Sequence, residues 1–289
     1  MCYYNGQKVT RSEYIRLKHL EKLTAAFDFL SVPVQDGFDF GFNAVLKRME
    51  GIEDFDIVKM EWGFVPSNLP SRDAIWKFRH DYVDERGIFH KGFTTLNAKG
   101  ENLFINEQGQ PSMFRFSAME RRCLVLSTGF YESRHIYRRN KKTGKLLKTP
   151  ERYPYRIFLP DQEYFYMAGI WNPWMAQDGT GEYAETFAKV TTDATHHSLM
   201  SKVHNSKKRM PTILNEDLAY EWLFGNLDQK RITEIALTQF PAEKMAAYPI
   251  EKNYKSALDT TAAFDYADLP PLDAPEGGES LLAVQNTLF

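Results

Sequence analysis

The chain has 289 residues, with 36 lysines and arginines against 38 aspartates and glutamates, and its formal net charge is −2. This balance excludes a protein that is drawn to nucleic acid by its overall charge, so any DNA binding must come from a local basic surface. No apolar run approaches the about 20 residues of a membrane helix, and the first residues lack the pattern of a signal peptide. Two cysteines define no disulfide framework, which predicts a protein of the reducing cytoplasm.

The first predicted element is a helix near the N-terminus. Thr10 and Glu13 stand three residues apart, as in a capping box, where a hydroxyl and a carboxylate satisfy the first backbone N–H groups. Leucine and phenylalanine then recur at steps of three and four residues up to Leu30, which is the periodicity of a helix with one buried face. The pattern therefore predicts a helix over about residues 12–30.

Strand signals dominate from there to about residue 192. Predicted strands are rich in aromatic and β-branched residues and are separated by proline and glycine; they cover 54–62, 122–132, 153–159, 164–171 and 186–192. The basic segment 138–145 is interpreted as a solvated hairpin tip, with a DNA-contacting element as the alternative.

Two more helices are predicted after the strands. Asn215 can cap a helix over 216–224, and Asp228 can cap another over about 229–237. Strands that are grouped together and flanked by helices indicate an α+β fold rather than alternating βαβ units.

Cys2 is a residue with unusual chemistry. Methionine aminopeptidase removes Met1 before a small residue such as cysteine, so the mature chain is expected to begin with a free 1,2-aminothiol. An α-amine with a pKa near about 7.7–8.0 is partly unprotonated at neutral pH and can attack an aldehyde to form a Schiff base. The thiol can then close on the imine carbon to give a thiazolidine. By itself, a cysteine at residue 2 is more often an accident of a frayed terminus.

Asn97, Glu132 and His204 each have an ordinary explanation when taken separately: a turn asparagine, a strand-end carboxylate and a loop histidine. With Cys2 they lie in sequence blocks that follow the order found in SOS-response-associated peptidase (SRAP) proteins, which this chain resembles from residue 2 to about 260. These blocks are Met1-Cys2, Trp62-Gly63-Phe64-Val65-Pro66, Asn97-Ala98-Lys99-x-Glu101, Gly129-Phe130-Tyr131-Glu132, Ala168-Gly169-Ile170-Trp171 and His204 followed by Arg209-Met210-Pro211. Any one block is weak evidence, but five or six in order are specific.

The resemblance implies a fold, an activity and residue roles. SRAP proteins have a twisted antiparallel β-sheet or barrel core flanked by helices, and they crosslink to abasic sites in single-stranded DNA through the N-terminal cysteine. On that basis Cys2 is the expected nucleophile, and Asn97 is expected to hold the terminal amine or the sugar oxygens. Glu132 is expected to act as general acid/base, and His204 to protonate the sugar ring oxygen. No cofactor or metal is implied.

The resemblance also implies a surface for single-stranded DNA, with cations along the backbone and aromatic faces for the bases. The expected DNA-binding residues are Lys99, Lys202, Lys207, Lys208, Arg209, Trp62, Phe64 and Asn43. For Trp171, core packing is an equal alternative to a place in the site. A monomer is expected, because a one-to-one covalent adduct needs no second subunit.

The chain departs from the family pattern at several places. Tyr3 and Tyr4 stand where the family has Gly-Arg, and Lys99 replaces an arginine, which keeps the charge but loses the bidentate fork. Ser133 replaces a tryptophan, and the loop after His204 is longer. These differences affect the expected contacts to DNA more than the nucleophile.

The end of the chain is expected to be separate from a single domain over residues 2–260. The segment 261–289 is acidic and contains prolines and adjacent glycines, which predicts a flexible tail. Its last residues resemble the Gln-x-x-Leu-Phe peptide that binds the bacterial sliding clamp, with Gln285, Leu288 and Phe289 at the matching positions. A clamp partner is one hypothesis, and an ordinary tail is the other.

Two other functions stay open. One is a cysteine-type peptidase or N-terminal-nucleophile hydrolase, in which His204 activates a cysteine and Asn97 orients the imidazole. Only Met1 precedes Cys2, so no leader for self-cleavage is expected. The other is a non-catalytic DNA-binding module in which Glu132 and His204 are structural. A zinc site is disfavoured because the cysteines and histidines lack the usual ligand spacing.

Overall fold

A computed structural model describes residues 2–273, and the predicted α+β class is confirmed. The helices in this part of the chain are α1 (Arg72–Arg79), α2 (Arg115–Glu120), α3 (Met200–Val203), α4 (Glu216–Phe224) and α5 (Gln229–Ala236). The strands are β1 (Tyr4–Lys8), β2 (Tyr14–Leu17), β3 (Leu20–Leu23), β4 (Ser31–Asp36), β5 (Phe42–Arg48), β6 (Phe55–Trp62), β7 (Tyr82–Val83), β8 (Phe89–His90), β9 (Asn97–Lys99), β10 (Arg122–Ser127), β11 (Gly129–Ile136), β12 (Glu151–Phe158), β13 (Phe165–Met175), β14 (Tyr183–Asp193), β15 (Arg209–Pro211), β16 (Ile213–Leu214) and β17 (Ala246–Pro249).

Two sheets form the body of the molecule. The smaller sheet has the order β17-β12-β11-β1-β4, and the larger has the order β15-β14-β6-β5-β10-β13-β16 with β9 added on β14. Most neighbours are antiparallel, as predicted, but β14 pairs in parallel with both β6 and β9. The segments β2–β3 and β7–β8 are separate hairpins.

Side-chain alternation along the larger sheet creates a core on each of its faces. The face towards α2, α4 and α5 carries an outer core, which includes Leu124, Ala168, Val190, Trp222 and Ile232. The opposite face shares an inner core with the smaller sheet, and this inner core includes Cys2, Val125, Phe130, Ile157, Met167 and Phe187. The inner core therefore joins the two sheets and contains the N-terminal cysteine.

The prediction of a helix over residues 12–30 is wrong, because this stretch contains the hairpin β2–β3. The carboxylate of Glu163 accepts hydrogen bonds from the backbone N–H groups of residues 10–12, which removes the role of a capping box. Ile15 and Leu17 are fully buried and alternate with the exposed Arg16. A tertiary contact and a period of two thus override the helical spacing of the leucines.

The strand predicted over 122–132 is two strands, β10 and β11, separated at Thr128. Gly129 has a φ of 152°, and a Cβ there would lie 3.1 Å from the Ile157 carbonyl oxygen. Only glycine therefore fits this turn, which redirects the chain from the larger sheet to the smaller one. The basic segment 138–145 connects β11 to β12, as expected for a hairpin tip.

The two C-terminal helix predictions are confirmed, including their caps. Asn215 accepts a hydrogen bond from the Leu218 N–H at 2.9 Å, and Asp228 accepts one from the Arg231 N–H at 2.7 Å. The second helix ends at Ala236, one residue before the predicted end.

We expect Asp228→Ala to lower the free energy of unfolding by about 1 kcal/mol, because it leaves the N–H groups of the first turn of α5 without a cap. Chemical denaturation measures this loss. Asp228→Asn keeps an accepting oxygen and should retain most of the stability; equal losses in both variants would contradict a capping role.

The beginning of the predicted tail lies against the domain. Tyr266 donates a hydrogen bond to the Ile250 carbonyl at 2.8 Å, and the Tyr153 hydroxyl bonds the Asp268 carboxylate at 2.7 Å. Arg134 binds the carbonyls of Pro270 and Pro271. The residues of the predicted clamp peptide lie outside the described part of the chain.

No helix within residues 2–273 is long and apolar enough to cross a membrane.

Candidate functional site

Cys2 is fully buried in the inner core, immediately before β1. The antiparallel register of β1 with β11 pairs Tyr4 with Tyr131, so the chain before Tyr4 runs alongside Glu132. Burial raises the pKa of the Cys2 thiol well above its usual value, and the neighbouring Glu132 carboxylate raises it further. The thiolate needed for attack is therefore scarce unless another group takes the proton.

Glu132 projects from β11 into the inner core beside Cys2, and we call this buried region around the two side chains the pocket. Alternation along β11 places it on the face of Phe130, which belongs to the inner core, while Tyr131 faces away from it. Glu132 is only 8% exposed. Its Oε2 lies 3.7 Å from Nε2 of His204, while Oε1 has no hydrogen-bond partner within residues 2–273. A buried carboxylate next to an imidazole is an arrangement that can transfer protons.

His204 follows α3 and is 5% exposed. Its Nδ1 lies 2.8 Å from the backbone carbonyl oxygen of Arg209. Because a carbonyl can only accept, Nδ1 carries a hydrogen. Nε2 is then the ring nitrogen that lies nearer Glu132 and is available for proton transfer. The sequence could not show this pairing, because Glu132 and His204 are far apart along the chain.

Two buried amides complete the polar lining of the pocket. Neither Asn97 nor Asn43 has a hydrogen-bond partner for its side chain among the described residues, although they are 6% and 2% exposed. Asn43 shares the face of β5 with Val45 of the inner core. Each unsatisfied buried polar group costs roughly 1–3 kcal/mol. Amides kept in this state are suited to a ligand with hydroxyl groups, such as a sugar.

Lys189 is a further buried polar residue of the inner core, and it was not predicted from the sequence. It lies on β14 with no exposed surface, and its amino group has no hydrogen-bond partner in the described structure. Alternation places it on the inner-core face with Phe187, whereas Ala188 and Val190 face the outer core. A lysine within a run of buried strand residues was the available signal, since lysine is almost never fully buried without a partner.

Most of the predicted DNA-binding cations lie near the pocket and are engaged in ion pairs. Lys99 pairs with Glu107, Arg209 with Glu101, and Lys202 with Asp273 at 2.5 Å. The sheet brings Lys99 on β9 and Arg209 on β15 together, because both strands pair with the last residues of β14. The other two predicted cations, Lys207 and Lys208, lie in the loop between His204 and β15, where Lys207 is exposed.

The two predicted aromatic contacts occupy different cores. Trp62 is buried in the inner core with Cys2, and its indole N–H donates to the Leu96 carbonyl at 2.8 Å. Phe64 belongs to the outer core, where it contacts the Phe114 ring edge-on at 5.0 Å. The structure thus brings Trp62, but not Phe64, to the pocket.

We expect Phe64→Ala to lower the free energy of unfolding by about 3–5 kcal/mol, because it leaves a cavity in the outer core. Thermal or chemical denaturation measures this effect. Phe64→Leu, which keeps more of the volume, should fold and bind single-stranded DNA like the unmodified protein. A selective loss of DNA affinity in this folded variant would show that Phe64 does contact DNA.

Solved structures resemble this fold. A crystal structure of a protein from Bacteroides thetaiotaomicron aligns with a TM-score of 0.63 and 25% identity, covering 91% of this chain and all of that one. A phage-related protein from Bordetella bronchiseptica aligns with a TM-score of 0.58 and 19% identity, covering 87% of this chain and 95% of that one. The second likeness is evidence for the fold alone.

Two relatives share sequence with the chain. Abasic site processing protein YoqW of Bacillus subtilis is 27% identical over 192 residues, which covers 66% of this chain and 68% of YoqW. Abasic site processing protein YobE of the same organism is 26% identical over 159 residues, 55% of this chain and 62% of YobE. The family model "SOS response associated peptidase (SRAP)" matches residues 41–257. The chain belongs to the SRAP family, as the order of its sequence blocks predicted.

Proposed function

We propose that this protein processes abasic sites in DNA by forming a covalent thiazolidine crosslink to single-stranded DNA through Cys2. One observation supports this most directly: Cys2 is buried beside Glu132, which in turn faces His204 at 3.7 Å. A nucleophile and two proton-transfer groups thus share one pocket. The relatives named abasic site processing proteins support the same substrate class.

The first step requires removal of Met1, which frees the α-amine of Cys2. An abasic sugar exists mostly as a closed ring. His204 protonates the ring oxygen while Glu132 takes the proton of the anomeric hydroxyl, so that the ring opens to the aldehyde. The α-amine attacks the aldehyde carbon. Glu132 supplies the proton with which the hydroxyl of the carbinolamine leaves as water, and it takes a proton back from the nitrogen. The product is an imine between the Cys2 nitrogen and the sugar carbon, ready for attack by the thiol.

The remaining polar groups position the nucleotide. The unsatisfied amides of Asn97 and Asn43 bind the hydroxyl oxygens of the opened sugar. Lys99 and Arg209 exchange their carboxylate partners for phosphates, which resembles the release of counterions when DNA binds. Lys202, Lys207 and Lys208 extend this surface along the strand. An abasic nucleotide has no base to unstack, so moving it into the pocket costs little.

A denaturing gel tests the proposal. Purified protein is mixed with a single-stranded oligonucleotide that carries one abasic site, and the matched oligonucleotide with an intact base serves as control. A shifted band that survives denaturation without borohydride, and that appears only with the abasic strand, is expected. Absence of a stable band would contradict the crosslinking function.

A cysteine peptidase would use the same residues differently. Cys2 would attack a peptide carbonyl through its thiol, and His204 would accept the proton. The two functions differ in their need for the α-amine: a crosslinker loses its activity when the amine is acetylated, while a thiol hydrolase does not.

Two further predictions concern partners. The protein is predicted to bind a sliding clamp through Gln285, Leu288 and Phe289, and to act as a monomer.

A further inference from the structure

We propose that Lys189 is a further catalytic residue, which accepts the proton of the Cys2 thiol so that the thiolate closes the thiazolidine ring. This inference rests on the proposed crosslinking function. Burial and Glu132 both disfavour the thiolate of Cys2, so ring closure needs a group that takes the thiol proton. The inference identifies that group as Lys189.

The geometry places Lys189 opposite Glu132 across the inner core. Lys189 projects from β14 of the larger sheet, and Glu132 projects from β11 of the smaller sheet. Both side chains share their faces with inner-core residues, Phe187 and Phe130 respectively. Cys2 belongs to the same cluster, and its thiol interacts electrostatically with both the Glu132 carboxylate and the Lys189 amino group.

The Trp62 ring links the lysine to the N-terminal segment. The Lys189 amino group lies 4.0 Å from the centroid of this ring. A Cβ at Gly37 would lie 3.3 Å from the outer edge of the ring and 3.0 Å from the Tyr3 carbonyl oxygen. One indole therefore contacts the lysine through its face and lies against Gly37 through its edge, and the Gly37 N–H donates to the Tyr3 carbonyl at 2.7 Å.

The amino group is kept in a state suited to accept a proton. It is fully buried and lacks a hydrogen-bond partner within residues 2–273. Burial lowers the pKa of Lys189 to about 8, although Cys2 and Glu132 favour its charged form. A sizeable neutral fraction therefore exists near pH 7–8, and a neutral amine is a base.

The other groups around the lysine do not replace it as a base. Glu132 carries the charge that already opposes the thiolate, and burial together with Glu132 raises the pKa of Tyr3 to about 12. His204 faces Glu132. The neighbours from β9 and β6, Asn97 and Trp62, do not titrate.

The proposed step balances in protons and electron pairs. Glu132 first gives a proton to the imine nitrogen, and Lys189 takes the proton of the Cys2 thiol. The thiolate then forms a bond to the imine carbon, and the electron pair of the C=N bond moves to nitrogen, which becomes the neutral ring amine. Lys189 returns its proton to Glu132, so the net change is imine plus thiol to thiazolidine.

Lys189→Met tests this role, with Lys59→Met as the matched control. Lys59 also lies on a strand over an aromatic ring, Phe29 at 4.9 Å, but it is exposed. In Lys189→Met we expect the stable crosslink to form about 10²-fold more slowly, while the adduct trapped by borohydride forms at the unmodified rate. Imine formation would thus be separated from ring closure, which a merely structural defect would not do.

A second readout needs no DNA. With ¹³C at the cysteine Cβ positions, NMR follows the Cys2 thiol as pH rises, and Cys2→Ser assigns the signal against Cys123. Loss of the Lys189 charge should raise the Cys2 pKa. An unchanged titration, or a rate of stable crosslinking equal to that of Lys59→Met, would overturn the role of Lys189. Absence of both adducts in the unmodified protein would instead overturn the crosslinking function, and the titration would still decide whether Lys189 and Cys2 interact.

Discussion

Cys2→Ser and Cys2→Ala are expected to abolish the stable crosslink to abasic single-stranded DNA, a loss of more than about 10³-fold in rate. Serine keeps the α-amine but supplies a hydroxyl, which is a far weaker nucleophile than a thiol at neutral pH. Both variants should still form an imine through the amine. Denaturing gels with and without borohydride measure the two adducts side by side.

The second cysteine provides the control for this result. Cys123 is fully buried on β10, in the same inner core, and has no role in the proposed reaction. Cys123→Ala should therefore lose some stability but crosslink like the unmodified protein. Stable crosslinks in Cys2→Ala, or their loss in a folded Cys123→Ala, would reject Cys2 as the nucleophile.

Glu132→Gln should slow crosslinking by about 10²–10⁴-fold, the usual contribution of a general acid/base. The substitution has two effects of opposite sign. Glutamine cannot donate or accept the proton, which slows imine formation. It also removes the charge that raises the Cys2 pKa, which favours the thiolate. We expect the first effect to dominate, because ring closure cannot begin before the imine has formed.

The borohydride-trapped adduct and the stable crosslink together distinguish the role of Glu132 from that of Lys189. The borohydride-trapped adduct should fall together with the stable crosslink in Glu132→Gln, whereas in Lys189→Met only the stable crosslink should fall. Glu182→Gln, at an exposed glutamate paired with Arg72 at 2.6 Å, serves as the control. Faster crosslinking in Glu132→Gln would mean that thiol ionisation, not proton transfer by the carboxylate, limits the reaction.

Local patterns predicted the fold best where no distant residue competes with them. The helices after Asn215 and Asp228 were predicted with their caps, because a cap is a contact between residues three apart in sequence. The predicted helix over 12–30 failed for the opposite reason. Glu163, more than 150 residues away in sequence, satisfies the amides at its start, and no local pattern contains that contact.

The same division applies to the site. The family blocks identified Cys2, Asn97, Glu132 and His204 as a set, but their roles depend on contacts that the sequence does not contain. The approach of His204 to Glu132 depends on α3 lying beside β11. Phe64 lies only two residues beyond Trp62, yet the two rings occupy different cores.

By itself the sequence determined the family, the α+β class and the identity of the expected nucleophile, because these follow from the order and spacing of short blocks. Only the tertiary structure decided which side chains face that nucleophile. The two sheets bring β11 and β14 to opposite sides of the inner core, so Glu132 and Lys189 share a pocket with Cys2. The physical reason is alternation: a strand turns successive side chains to opposite faces, and only the pairing of strands fixes which face meets the site.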